Sequence, residues 1–143
     1  MNSPGGNTTG GIAVYNAMRS MPYEITTHNI ASVDSIGNVI FLGGTKRFAC
    51  PASTFMFHGV GFLGNASERL EEWNLKAKLD TLQADHGRIS TIMADRTKLS
   101  VSECMTLFEK QSTKEPKWAL EKGIISEIKD LSLPSGANFQ IIA

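Results

Sequence analysis

Short strand-like runs alternate with helical segments along this chain, a pattern that a single α/β domain accommodates at this length. Thr8 or Thr9 is placed to cap a helix whose residues Ile12, Val14, Ala17, Met18 and Met21 share an apolar face, and Pro22 ends it. Tyr23 to Ile30, rich in β-branched residues, reads as a strand, and Ile36 to Leu42 as a buried helix. Lys46 to Cys50 and Thr54 to Val60 read as two strands around a turn at Pro51, the second delivering His58 near its end. A long polar helix follows from Ala66 to about Asp95, too polar to lie wholly against a core. Ser100 or Ser102 caps a helix running to about Lys110; Pro116 opens another that ends near Lys122, with Gly123 as its C-terminal glycine; Ile124 to Ile128 reads as a last strand. From Leu131 the chain reads as a loosely attached tail.

Charge and cysteine usage remove several classes of function. The 14 basic and 14 acidic residues balance, so no net field favours nucleic acid or an anionic membrane. Cys50 and Cys104 form no CxxC pair and have no histidine at zinc-site spacing, so neither a metal nor a disulfide framework is expected, and a reducing cytoplasm suits both. No apolar run approaches the ~20 residues of a membrane-spanning helix, and the start lacks the basic and apolar regions of a signal peptide. No cofactor is called for. His28 and His86 read as surface or strand positions, and Trp73 and Trp118 as packing or assembly contacts.

Three stretches carry the chemistry: NSPGG at 2–6, ASVDSIGN at 31–38 and FMFHGV at 55–60. Each alone has an ordinary reading as a turn, a helix cap and a core histidine. In this order and spacing they resemble the proteolytic subunit of the Clp protease family. In that family an NSPGG turn follows a strand, a Ser-Met-Gly sequence starts a buried helix, and a Met-Ile-His strand supplies a base. Here the counterparts are NSPGG, Ser35-Ile36-Gly37 and Met56-Phe57-His58, and ALEKGIISEI at 119–128 is similar to a further family stretch near the domain's end. The resemblance implies a ClpP/crotonase-like α/β fold of repeated β-β-α units, with a mainly parallel sheet covered by helices, over residues 1–130, and a tail at 131–143. The helix at 66–95 resembles the family's projecting handle, which meets an opposing ring.

The same resemblance implies a serine peptidase. Ser35 is the nucleophile, His58 the general base, and the N–H groups of Gly5 and Ile36 receive the oxyanion; Gly6, Asn7, Gly59 and Val60 flank an extended peptide. Gln111 falls at the family's third catalytic position, where an aspartate is usual. An amide accepts a hydrogen bond from imidazole but supplies no charge, and that exchange costs about 10⁴ in turnover in a serine protease. Glu109 or Glu115 is an alternative third member. Ser32 competes with Ser35 as nucleophile on local sequence, but only from Ser35 does the spacing to Gly43-Gly44 match the family. Asp34 is unusual beside a nucleophile and should point away or be paired.

The expected partners are a peptide or unfolded protein and further copies of the chain in a ring. Residues that precede NSPGG in the family are expected to be missing here, so an ATPase partner is possible but is not carried over. A catalytically silent structural subunit is the second reading. A crotonase-type thioester enzyme has no need of Ser35 with His58, and a Ser–Lys peptidase has only Lys46 to offer.

Overall fold

A computed structural model describes residues 1–64 and 67–138. Its elements run α1 (Thr8–Ser20), β1 (Thr26–Asn29), β2 (Ser32–Asp34), α2 (Gly37–Leu42), β3 (Lys46–Ala49), β4 (Thr54–Met56), α3 (Glu72–Arg96), α4 (Val101–Glu109), β5 (Thr113–Lys114), α5 (Pro116–Glu121) and β6 (Glu127–Ile128). Two successive β-β-α units, β1-β2-α2 and β3-β4-α3, divide their strands between two sheets. One sheet is β1-β3-β6, parallel throughout; the other is β2-β4-β5, with β2 and β4 parallel and β5 antiparallel at the edge. The mixed, mainly parallel α/β architecture matches the sequence expectation.

The chain crosses from one sheet to the other at a buried polar hinge. Asn29, fully buried, donates through Nδ2 to the Thr54 carbonyl at 2.7 Å and accepts the Ala31 N–H at Oδ1, while its own carbonyl takes the Cys50 N–H. One amide thus joins the bends of both units, which satisfies backbone groups that the change of sheet leaves unpaired. Around it the core is apolar: Val33 and Phe55 from the central strands, and Val39, Phe41 and Leu42 from α2, are essentially inaccessible. Phe41 and Phe55 meet edge to face at 5.3 Å. Full burial of each ring contributes about 1.5–3 kcal/mol.

The elements depart from expectation where local context decides. Asn7, not Thr8 or Thr9, caps α1, its side chain accepting the Gly10 N–H at 2.8 Å. The strand expected over 23–30 shrinks to Thr26–Asn29, leaving Tyr23 exposed, and Ser32–Asp34 forms an additional strand. β4 stops at Met56, four residues before the expected Val60, and His58 lies beyond it. The expected helix start at Ala66 lies outside the described residues; α3 runs from Glu72 to Arg96. Its buried residues, Asp85, Ile89, Ser90 and Met93, all fall in its second half, so the first half stands off the core. Ser100 caps α4 in a reciprocal capping box with Glu103, and Gly123 closes α5 at φ +70°. β6 covers only Glu127–Ile128, because Ile124 and Ile125 bury their side chains from irregular backbone. Residues 131–138 are exposed.

Candidate active site

The NSPGG turn is held to the second sheet by backbone pairing. Ser3 donates to the Ser32 carbonyl and accepts the Asp34 N–H, both at 2.9 Å, as a parallel bridge to Val33. This brings Gly5 against Ser35, the residue that follows β2. A Cβ on Gly5 would lie 2.6 Å from Ser35 Cβ and 3.2 Å from its Oγ, and Gly5 itself sits at φ +89°. Only glycine combines that backbone conformation with that approach.

Ser35 occupies the sharp turn between β2 and α2 at φ 55°, a left-handed conformation that costs a non-glycine residue about 1–3 kcal/mol. Several contacts hold it there. Its N–H donates to the Met56 carbonyl at 2.9 Å, tying the turn to the end of β4. Its carbonyl accepts from Asn38 N and Nδ2, and the same Nδ2 reaches the Met56 carbonyl at 2.8 Å. Asn38 Oδ1, by contrast, is buried without a partner among the described residues. The Ile36 N–H, next after Ser35, also finds no acceptor among the described residues, whereas the Gly5 N–H makes a long 3.3 Å contact with Ser3 Oγ.

His58 follows β4 and shares a cavity of about 110 Å³ with Ser35, Gly6, Thr8, Val60 and Gly61. Ile36, Phe57, Ile89, Met93 and Phe108 give the cavity an apolar floor. His58 Nδ1 lies 2.7 Å from the Gly59 carbonyl. A carbonyl only accepts, so Nδ1 carries the proton, and in the neutral ring Nε2 keeps its lone pair. Among the described residues no hydrogen bond joins the Ser35 hydroxyl to His58.

The remaining sequence-derived positions fall around this centre. Asn7 commits its side chain to capping α1, and Gly59 contributes its carbonyl to His58. Gln111 is exposed at φ 47°, just past α4. β4 and β5 pair Phe55 with Lys114 and Met56 with Thr113, and the Phe57 N–H donates to the Ser112 carbonyl; Gln111 lies beyond this pairing, and among the described residues no hydrogen bond joins it to His58. Asp34 is paired, accepting from the Ser32 hydroxyl on the face where Ser32 also meets Thr54 at 3.2 Å. Lys46 pairs with Glu24 at the surface. Cys104 is fully buried, and burial, reinforced by Glu103, pushes its thiol up to about 11, so it is no nucleophile at neutral pH.

The family model for Clp protease matches residues 1–131. The chain belongs to the Clp protease family. It is 35% identical over 132 residues to an ATP-dependent Clp protease proteolytic subunit of Chlorella vulgaris, with 90% of this chain and 63% of that protein covered. It is 32% identical over 133 residues to an ATP-dependent Clp protease proteolytic subunit 2 of Tropheryma whipplei, with 90% of this chain and 71% of that protein covered. A third relative, from Lactococcus lactis, is 26% identical over 132 residues, with 91% and 65% covered. The chain thus spans between about three-fifths and seven-tenths of these relatives' lengths.

Two neighbours of the candidate site carry no local sequence signature. Asn38 reads as a polar interruption of an apolar helix, and only the fold shows its amide bridging Ser35 and Met56. His86 reads as a surface or strand position, yet it lies half-buried on α3 and accepts the Val60 N–H at 2.8 Å. Among the described residues no helix is long and apolar enough to cross a membrane, and no cluster of metal-ligating side chains is found.

Proposed function

We propose that the chain is a Clp-type peptidase subunit that hydrolyses peptide bonds through an acyl-enzyme on Ser35. The observation that carries this reading is the strained left-handed Ser35, presented by a strand-to-helix turn into the cavity it shares with His58. Strain of this kind persists only where surrounding contacts over-determine it, and it aims a hydroxyl out of the backbone into open space. His58, with its proton on Nδ1, takes the Ser35 proton at Nε2 as Oγ attacks the peptide carbonyl. The Gly5 and Ile36 N–H groups receive the oxyanion, and the imidazolium then protonates the leaving amine; water repeats the sequence to release the acid.

The one acceptor bonded to the imidazole among the described residues is the Gly59 carbonyl, which is uncharged, and Gln111 at the family's aspartate position supplies no charge either. The imidazolium therefore lacks the carboxylate that lowers its energy in a full triad, and turnover is slow. The same observation favours the second reading, a subunit that keeps the fold and the assembly surfaces without appreciable turnover. In the peptidase reading, residues Gly6 and Asn7 on one side and Gly59 and Val60 on the other flank an extended peptide whose apolar side chain enters over Phe57 and Met93. Copies assemble into rings, and the free half of α3 meets an opposing ring.

A fluorophosphonate probe, which reacts only with an activated serine, separates the two readings. The peptidase reading expects labelling of the intact chain that disappears in both Ser35→Ala and His58→Ala. A folded chain that stays unlabelled refutes it and leaves the silent subunit.

A further inference from the structure

The backbone leaving His58 has little to hold it. Residues 57–64 form no regular element and include Gly59, Gly61 and Gly64, which give this stretch more conformational freedom than any other residue type would. Among the described residues, a single hydrogen bond ties positions 59–64 to another element: the Val60 N–H to His86 Nε2, 2.8 Å, from a residue 26 positions away on α3. The imidazole is itself fixed. Its ring stacks on Phe108, centroids 5.8 Å apart and planes 25° apart, and a Cβ on Gly59 would lie 2.9 Å from the same Nε2. Gly59 therefore leaves room for the ring, Phe108 sets its plane, and α3 sets its height.

We propose that His86 is a positioning residue for substrate: it fixes the Gly59–Gly61 backbone as the cavity rim against which an extended peptide pairs. The proposal rests on the peptidase reading and deepens it. A strand-like rim recognises a peptide through its main chain, so its affinity depends on how little the rim must order when the peptide arrives. Without His86 the glycine-rich stretch samples many conformations, and each binding event bears that ordering cost. The bond also divides the labour along the rim. Val60 has spent its N–H on His86, so in an extended rim its N–H and carbonyl both face α3, and the N–H groups that face substrate are those of Gly59 and Gly61.

Two substitutions separate the acceptor from the ring. His86→Phe keeps an aromatic ring against Phe108 and removes the acceptor; His86→Gln supplies an amide oxygen in its place. Two readouts are needed: hydrogen exchange of the Val60 amide in the full chain, and fluorescence-anisotropy titration of a labelled, unstructured casein-derived peptide against each variant in a Ser35→Ala background. His86→Phe is expected to speed Val60 exchange at least tenfold and to weaken peptide binding by about tenfold, and His86→Gln to restore most of both. Unchanged Val60 exchange in His86→Phe overturns the proposal. So does faster exchange with undiminished peptide affinity, or a His86→Gln variant no better than His86→Phe. A parent chain that neither reacts with fluorophosphonate nor binds peptide overturns the peptidase reading and the substrate role with it. Val60 exchange, which needs no activity, tells that result apart from failure of the clamp.

Discussion

Gly5 and Ser35 approach so closely that one methyl group is decisive. Gly5→Ala puts a Cβ 2.6 Å from Ser35 Cβ and forces an L side chain onto φ +89°, so the turn must move away from the nucleophile. Since each 1.4 kcal/mol is about tenfold in rate, even a displacement costing the oxyanion one good hydrogen bond lowers fluorophosphonate labelling by about tenfold or more. Thermal unfolding should confirm that the fold survives. Gln111 makes the converse test. In the peptidase reading it stands at the family's third catalytic position, and continuing the β4–β5 register two residues past the Met56–Thr113 pair runs toward His58. Gln111→Asp supplies the missing charge and is expected to raise the labelling rate more than tenfold, measured as a time course at fixed probe concentration. The candidate site was legible in the chain because the proposed reaction demands a serine, a histidine and a bare turn at set spacing, and the structure brings Ser35, His58 and Gly6 to one cavity. Asn38 and His86 were not, because an amide within an apolar run or a histidine on a polar helix acquires its partner only through tertiary packing.

Elements with strong local signals appeared where the residues indicate, and weak ones did not. α4 has a complete capping box, with the Ser100 hydroxyl and N–H both bonded to Glu103 and the Glu103 N–H returned to Ser100, and it forms at the expected place. β2 and β5, of three and two residues, carry no periodicity long enough to read; they exist because β4 pairs with both. The capping box also fixes a pH response. Glu103 is held down to about 2 from 4.5, first by its bond to the Lys122 ammonium at 2.8 Å and then by Ser100. A carboxylate lowered in the folded state stabilises the fold above its unfolded value and ceases to as pH falls toward its folded value. Glu103→Gln should therefore lower the melting temperature at pH 7 and leave it little changed near pH 2, so the two melting curves converge between about pH 4.5 and 2. Melting temperatures that differ equally at both pH values count against this link between α4 and α5.

Across the whole molecule, the two sheets and α2 account for the core, whereas α3 is shared between that core and something outside it. Its second half buries Ile89 and Met93 beneath the cavity; its first half exposes Trp73, Leu75 and Leu79, at 73%, 52% and 53% accessibility. Leu75, Leu79 and Leu82 follow one helical face at spacings of four and three, and continuing that face by four more residues reaches His86. A polar helix that exposes Leu75 and Leu79 on one face, with Leu82 half-buried beyond them, is suited to a partner surface, and the proposed ring assembly supplies one. Leu75→Glu with Leu79→Glu places two charges on that stripe without touching the buried half. Sedimentation velocity should then show the assembled species replaced by a smaller one, with the far-UV circular dichroism of the parent retained. If the same helix both joins copies and carries His86, disassembly should also speed Val60 exchange, since the stripe and the clamp lie on one continuous rod. Assembly that persists unchanged in the double variant would leave this face of α3 without the role assigned to it, and would place the contacts between copies elsewhere on the fold.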